Sequence, residues 1–124
     1  MTKIINLIVG GMTGTVARYI LSGVFMKFFG TEFPLGTLIV NLIGCFLIGF
    51  FVVIFDKGFF ISAHDPTLFI VGFCGAFTTF STLILETANL MKSGAHVSAF
   101  INIMGSVLIG LIVFKLGIIL GEMI

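Results

Sequence analysis

Charged residues are scarce in this 124-residue chain, at 9%, whereas 59% of its residues are hydrophobic. A soluble domain of this length cannot bury so large an apolar fraction. The composition therefore excludes a soluble globular protein and indicates an integral membrane protein. The net charge is only +1, which provides no basic surface, so we expect no nucleic-acid partner.

Cysteine is also rare, and motifs that carry catalysis are absent. Cys45 and Cys74 lie inside apolar segments, without a histidine or a second cysteine at metal-ligand spacing. Small buried side chains are therefore predicted in preference to a disulfide or a metal site. The sequence contains no HExxH, P-loop or GxSxG motif, and His64 and His96 fall in predicted loops. We expect the protein not to be an enzyme.

The hydrophobic residues form four runs, each long enough to cross a bilayer as a helix. The pattern predicts a single all-α transmembrane domain, residues 1–124, with spans at about 4–29, 35–55, 66–91 and 97–120. A polar turn is predicted at 62–66, just before the third span. The first run lacks a cleavage-site pattern and is predicted to be a span, not a signal peptide. Both termini are expected on the same side of the membrane.

The third run is a poor helix at its centre. Gly72 and Gly75 have low helix propensity, and the β-branched Thr78 and Thr79 follow at once. A broken backbone in hydrocarbon leaves amides and carbonyls without partners unless protein or a polar cavity surrounds them. The pattern indicates either an ion or substrate site near the membrane midplane or a close-packed helix interface of small residues.

Lysines are almost evenly divided between the two ends of the predicted spans. Lys3 and Lys57, with Lys115 reaching out from the fourth span, lie at one end, and Lys27 and Lys92 lie at the other. Positive residues in short loops favour the cytoplasmic side. Near balance favours insertion in both orientations and an antiparallel dimer. The other possibility is that one lysine dominates and the topology is single.

Polar residues inside the spans share helical faces. Arg18 lies near the centre of the first span, where a charge should face a vestibule or a partner; in a shorter span it would instead reach the interface. The others follow helical spacing: Thr37, Asn41 and Gly44; Thr79, Thr82, Glu86 and Asn89; Ser98, Asn102, Ser106 and Gly110. Neutral donors can replace the hydration shell of a small anion without trapping it. Aromatic edges can contribute as well, and Phe80 beside the weak point is the candidate.

Three motifs resemble the Fluc/CrcB family of fluoride channels, and the resemblance covers essentially the whole chain. They are Gly10-Gly-Met-Thr-Gly-Thr-Val-Ala-Arg18-Tyr19, Gly36-Thr-Leu-Ile-Val-Asn41-Leu-Ile-Gly44 and Gly72-Phe-Cys-Gly-Ala-Phe-Thr-Thr-Phe-Ser-Thr82. The resemblance implies passive fluoride efflux through an antiparallel, dual-topology homodimer with two pores in the bacterial inner membrane.

The resemblance also implies roles for individual residues. Asn41 and Phe80 match pore residues, and Leu83 stands where the family has a second pore phenylalanine; leucine has no aromatic edge to offer an anion. Backbone carbonyls of Gly75 and Thr78 are expected to hold a structural sodium ion at the dimer centre. The predicted fluoride pore further includes Arg18, Thr37, Ser81, Thr82, Glu86 and Ser106.

Two other functions are compatible with four short spans. A small proton-coupled multidrug exporter needs a membrane-embedded carboxylate, and Glu86 is the one carboxylate well inside a predicted span, toward its end. With no tryptophan and only Tyr19 as tyrosine, the chain supplies an aromatic cage for a cation poorly. The third possibility is a structural membrane subunit without transport.

Overall fold

The computed structural model describes residues 2–58 and 66–124. Within these ranges the regular structure is helical, and four helices are long and apolar enough to cross a membrane. They are α1 (Thr2–Phe29), α2 (Leu35–Asp56), a third span (Thr67–Lys92) and a fourth (His96–Met123). The predicted all-α fold with four spans is confirmed. The predicted turn at 62–66 lies outside the described residues except for Pro66, and His64 lies outside them as well.

The third span consists of three pieces. A π-helical segment, Thr67–Cys74, leads into a single turn, α3 (Gly75–Phe77), and α4 (Phe80–Lys92) follows after two non-helical residues.

The last helix is α5 (His96–Met123). His96 therefore begins a helix and does not lie in a loop, because Gly94 reverses the chain with φ +81° and the Ala99 N–H already bonds to the Ala95 carbonyl at 3.0 Å.

Small residues let α1 pack tightly against the first half of the third span. A Cβ on Gly10 would overlap the Leu68 carbonyl oxygen and the Phe73 nitrogen, and a Cβ on Gly14 would overlap the Phe73 carbonyl. Gly72 faces Gly10 across this contact. Backbones approach this closely in membranes where neither helix carries bulk. Close packing of small residues, one of the two alternatives left open by the sequence, therefore applies to this half of the span.

The α2 and α5 helices run parallel through the same kind of contact. Gly49 lies against the Phe114 carbonyl, and Gly117 lies against the Phe46 carbonyl. At the far end, Lys57 Nζ donates to the carbonyl oxygens of Gly121 at 3.1 Å and Glu122 at 2.7 Å. A cation there satisfies terminal carbonyls and complements the negative end of α5.

The outer surface is apolar, whereas α2 is enclosed. Large hydrophobic side chains are exposed mainly along α1 and α5, such as Ile4, Met12, Phe100 and Leu111. In contrast, α2 contacts α1, the third span and α5. An apolar surface this continuous on four helices of spanning length is that of a multi-pass membrane protein.

Candidate functional site

The third span breaks at Thr78 and Thr79. Thr78 has φ −82° and ψ 155°, and Thr79 has φ −148° and ψ 113°, so both are extended. Gly75 is helical at φ −63° and ψ −35°, and Gly72 lies within the π-helical segment. The break is present near the centre of the span but falls on the threonines, since β-branched residues suit extended backbone whereas Gly72 is used for packing.

Thr79 starts α4 and supplies its cap. The Thr79 Oγ1 accepts the Thr82 N–H at 3.3 Å and donates to Thr82 Oγ1 at 3.0 Å. It also lies 3.2 Å from Ser81 Oγ. An N-cap hydroxyl satisfies one of the amides that a helix start leaves open. Three hydroxyls and the positive end of α4 therefore meet at the break.

Arg18 reaches the other side of the break from α1. Its Nε donates to the Ala76 carbonyl oxygen at 3.2 Å, and the side chain is half-buried. Ala76 lies in the last helical turn before the break, where carbonyls lack intrahelical partners. Arg18 thus faces the broken backbone and not lipid, and it brings a positive charge beside it.

Asn41 contributes from α2 and binds Thr79 twice. Its Oδ1 accepts the Thr79 N–H at 2.8 Å, and its Nδ2 donates to the Thr79 carbonyl oxygen at 3.2 Å. The amide nitrogen carries a second hydrogen that this pair does not use. Asn41 is therefore both a support for the break and a source of one neutral donor beside it.

Two carbonyls at the break lose the donors that a continuous helix would give them. The Thr79 N–H, which would bond to Gly75, goes to Asn41, and the Thr82 N–H, which would bond to Thr78, goes to Thr79 Oγ1. Within residues 2–58 and 66–124, no group of three or more His, Cys, Asp or Glu side chains could hold a metal. A cation at the break would accordingly depend on backbone oxygens.

Thr37 and Glu86 form a second polar group, toward one end of the bundle. Thr37 Oγ1 donates to Glu86 Oε1 at 2.6 Å, and Glu86 Oε2 is buried without a partner in the described part of the chain. Glu86 also lines a cleft of about 310 Å³. The residues around this cleft are Met26, Thr31, Glu32, Phe33, Pro34, Gly36, Glu86, Asn89, Leu90 and Ser93. The cleft opens on the side where α4 ends, and Glu32, Glu86 and Asn89 contribute polar groups to its lining.

Phe77, Phe80 and Leu83 are spaced by three in the sequence, but their side chains do not share one face. Phe77 and Leu83 are buried, at 3% and 5% exposure, whereas Phe80 is 73% exposed. The two extended residues between Phe77 and Phe80 interrupt the helical register, so spacing by three no longer keeps side chains aligned. Phe80 and the neighbouring exposed Ser81 point outward from the chain, and Thr82 is half-buried.

The polar stripe of α5 faces inward, toward α2 and α4. Asn102 is fully buried, and its Nδ2 donates to Thr87 Oγ1 at 3.0 Å. Thr87 Oγ1 in turn donates to the Leu83 carbonyl at 2.7 Å. One turn further, Ser106 Oγ is buried without a partner among the described residues. Thr87 was absent from the predicted stripes because it lies off their helical spacing; only the fold pairs it with Asn102.

The structure thus brings Arg18, Asn41, Gly75 and Thr78 together at the break and places Thr37 with Glu86 at the cleft. Phe80 and Ser81 project to the outside, and Ser106 lies on α5. Ala76 and Thr79 contribute through their backbones, which residue type alone does not reveal. Cys45 and Cys74 are free thiols on α2 and in the π-helical segment.

Similarity to known proteins extends over the same elements. The model of the CrcB-like protein, Camphor Resistance (CrcB) family matches residues 5–118. The fluoride-specific ion channel FluC of Dehalococcoides mccartyi is 42% identical over 100% of this chain and 95% of its own length. The protein of the same name from Magnetococcus marinus is 44% identical over 93% of this chain and 94% of its own.

A third relative with this name, from Pyrococcus abyssi, is 40% identical over 94% of this chain and 93% of its own length. These names are those of ion channels and not of enzymes. The matched range, residues 5–118, spans Arg18, Asn41 and the break in the third span. The chain is a multi-pass membrane protein that belongs to the CrcB-like family.

Proposed function

We propose that this protein is a fluoride-selective channel that lets fluoride leave the cytoplasm passively. In this proposal two copies form an antiparallel, dual-topology homodimer with two pores in the bacterial inner membrane. The observation that carries the proposal is the similarity to proteins named fluoride-specific ion channels, at 42% identity over the full chain.

The proposed path uses neutral donors next to a positive helix end. Ser81, Thr82 and the unused N–H of Asn41 lie around the first turn of α4. Such groups can substitute for the hydration shell of a small anion, and without a full countercharge they do not trap it. Exposed Phe80 adds the positive edge of an aromatic ring. Thr37, Glu86, Leu83, Ser106 and Arg18 complete the proposed pore and its mouth.

An antiparallel pair accounts for two features of the single chain. Phe80 projects from the break with 73% of its surface exposed, so a pore that uses its ring edge needs a neighbour on that side. The lysines are balanced between the two ends, which favours equal insertion in both orientations. A two-fold pair then creates two equivalent paths.

Sodium is proposed as a structural ion at the centre of the dimer. The Gly75 and Thr78 carbonyl oxygens fit this role, because their usual helical donors bond elsewhere. Unwound carbonyls of broken helices are common sodium ligands in membrane proteins. The ion would supply positive charge that links the two broken spans, and its binding would stabilise the pair by linkage.

A proton-coupled multidrug exporter remains the second candidate because Glu86 lies inside a span. Its carboxylate accepts a hydrogen bond from Thr37 and lines the cleft at the end of the bundle, away from the centre of the span. An exporter needs this group to exchange protons with bulk water while it binds a cation.

Efflux from liposomes separates these functions and that of a structural subunit. Purified protein should release loaded fluoride quickly, retain chloride, and move no cationic dye under a proton gradient. A narrow hydrogen-bonding path compensates dehydration of a small ion and excludes a larger one. Chloride flux comparable to fluoride flux contradicts selectivity, proton-driven dye movement favours the exporter, and no flux of any solute favours a structural subunit.

A further inference from the structure

Asn41 satisfies both backbone groups of one extended residue in the middle of a membrane span. The Thr79 N–H bonds to Asn41 Oδ1 at 2.8 Å, and the Thr79 carbonyl accepts from Asn41 Nδ2 at 3.2 Å. A side-chain amide offers the same donor and acceptor as a peptide group. Asn41 therefore takes the place of the neighbouring strand that an extended residue would have in a sheet.

The Thr79 N–H has two competing acceptors. The preceding amide still follows the helical ladder, since the Thr78 N–H bonds to the Cys74 carbonyl at 3.0 Å. One residue later, a continuous helix would direct the Thr79 N–H to Gly75, but here it turns to Asn41. An unpaired amide is strongly unfavourable inside a bilayer, so losing Asn41 Oδ1 drives this N–H back to Gly75.

The other contacts at the break do not take over this task. Arg18 bonds to the Ala76 carbonyl, and the Thr79 hydroxyl is engaged with Thr82. Neither offers an acceptor to the Thr79 N–H. Among these contacts, Asn41 Oδ1 is therefore the one acceptor that keeps the Thr79 N–H from bonding to the Gly75 carbonyl oxygen.

We infer that Asn41 is a positioning residue that holds the third span open and thereby keeps the Gly75 carbonyl free for the cation. The inference rests on the proposed function and deepens it, because the amide that offers a donor to fluoride also fixes the backbone of the sodium site. The two polar atoms of the amide have separate roles. Oδ1 holds the Thr79 N–H and so keeps the cation site formed, and the second hydrogen on Nδ2 faces the anion path.

Two substitutions of Asn41 test the roles of Oδ1 and Nδ2 separately. Asn41→Asp keeps an acceptor for the Thr79 N–H but adds negative charge, whereas Asn41→Leu has similar size and no polar atom. The readout is the thermal midpoint of the purified protein, followed by size-exclusion chromatography, as sodium replaces N-methyl-D-glucamine at constant ionic strength. Fluoride is left out of this titration. Asn89→Leu, an exposed asparagine on α4, is the matched control.

The parent and Asn89→Leu should share one sodium midpoint, to within about threefold, whereas Asn41→Asp should need no more sodium than the parent, because it keeps the acceptor and its negative charge attracts the cation. Asn41→Leu should need about tenfold more sodium or show no stabilisation, the size of effect expected when a buried donor changes partner. In liposomes, Asn41→Asp should still abolish fluoride efflux, because a fixed charge in low dielectric repels the anion. If Asn41→Asp still responds to sodium but has lost fluoride efflux, the two polar atoms of the amide have separate roles.

Sodium stabilisation of Asn41→Leu equal to that of the parent would overturn the inference. If Asn41→Leu does not fold in either salt, Asn41→Asp decides: an absent sodium response there, or a need for more sodium than the parent, overturns the inference as well. A parent that is insensitive to sodium overturns the role of Asn41 at a cation site while leaving fluoride conduction intact. A parent that responds to sodium but passes no fluoride counts against the proposed function alone.

Discussion

Phe80 sits one residue after the break with most of its ring exposed, and its proposed role is to offer a ring edge to the anion. Phe80→Met keeps an apolar side chain of similar length and removes that edge. Edge-directed contacts between aromatic rings are worth about 0.5–1.5 kcal/mol, and a ring-edge contact of similar strength to the anion should make efflux slow by roughly two- to thirteenfold when it is lost. Fluoride-electrode traces from liposomes measure this rate.

Phe100→Met provides the matched control for Phe80. Phe100 is 66% exposed on α5 and lines a mainly apolar surface cleft with Thr87 and His96 at its edge. Its substitution should leave both the rate and the dimer unchanged. A Phe80→Met protein that conducts like the parent would remove Phe80 from the path.

A substitution of the Glu86 carboxylate distinguishes the proposed channel from the proposed exporter. Glu86→Gln keeps an oxygen that can accept from Thr37 and removes negative charge from the cleft that an anion would cross. Fluoride efflux should therefore not slow, because repulsion in the cleft decreases. Efflux of Glu86→Gln and of Glu32→Gln, a carboxylate at the same cleft, should be measured side by side.

The exporter function demands the opposite result for Glu86. A carrier of protons cannot be replaced by an amide, so proton-driven transport of a cationic dye would disappear in Glu86→Gln but persist in Glu32→Gln. Resistance of cells to the dye provides a second readout. Loss of such an activity in Glu86→Gln alone would favour the exporter.

At the scale of elements, the contact between α1 and the third span is open to a direct test. Gly10→Ala forces a Cβ into the backbone of Leu68 and Phe73, whereas Gly11→Ala, the next residue, meets nothing within 4 Å. Overpacking of this kind costs about 1–3 kcal/mol. Thermal denaturation in detergent should show a lower midpoint for Gly10→Ala and little change for Gly11→Ala; equal midpoints would contradict the packing.

The four helices could be predicted from the sequence because each hydrophobic run is longer than a bilayer requires. The sequence also located the break within the stretch from Gly72 to Thr79, but not which of these residues leave the helix. Gly72 and Gly75 have the lower helix propensity, yet Gly72 packs against a neighbouring helix and Gly75 keeps helical backbone angles. The residues that leave the helix are Thr78 and Thr79. Propensity is a weak guide where a neighbouring helix needs a small residue.

The polar residues near the break could be singled out by residue type, but their contacts could not be predicted. Asn41 is conspicuous as an amide inside a span, but its partner is the backbone of a residue 38 positions away, which no spacing rule indicates. Likewise, the spacing by three of Phe77, Phe80 and Leu83 would place them on one face of an unbroken helix, but the extended threonines interrupt that helical register. Ala76 and Thr79 contribute only main-chain atoms, so their side chains carry no signal.

For the whole molecule, two copies of opposite orientation are the proposed conducting unit. The lysines at the two ends are balanced, and the third span presents its break and Phe80 to the outside. Added lysines should fix orientation by the positive-inside rule. Ser93→Lys with His96→Lys loads one end, and Asp56→Lys with Glu122→Lys loads the other; all four positions are exposed.

The most direct measurement is fluoride efflux from cells that express the two oriented variants separately and together. Each variant alone should be inactive, because no partner of the other orientation exists, and co-expression should restore both fluoride efflux and growth in fluoride. A cysteine introduced at one end of the spans and labelled from outside the cell verifies that each variant holds one orientation. Full fluoride efflux from a single oriented variant would contradict the antiparallel channel and the shared site at its break.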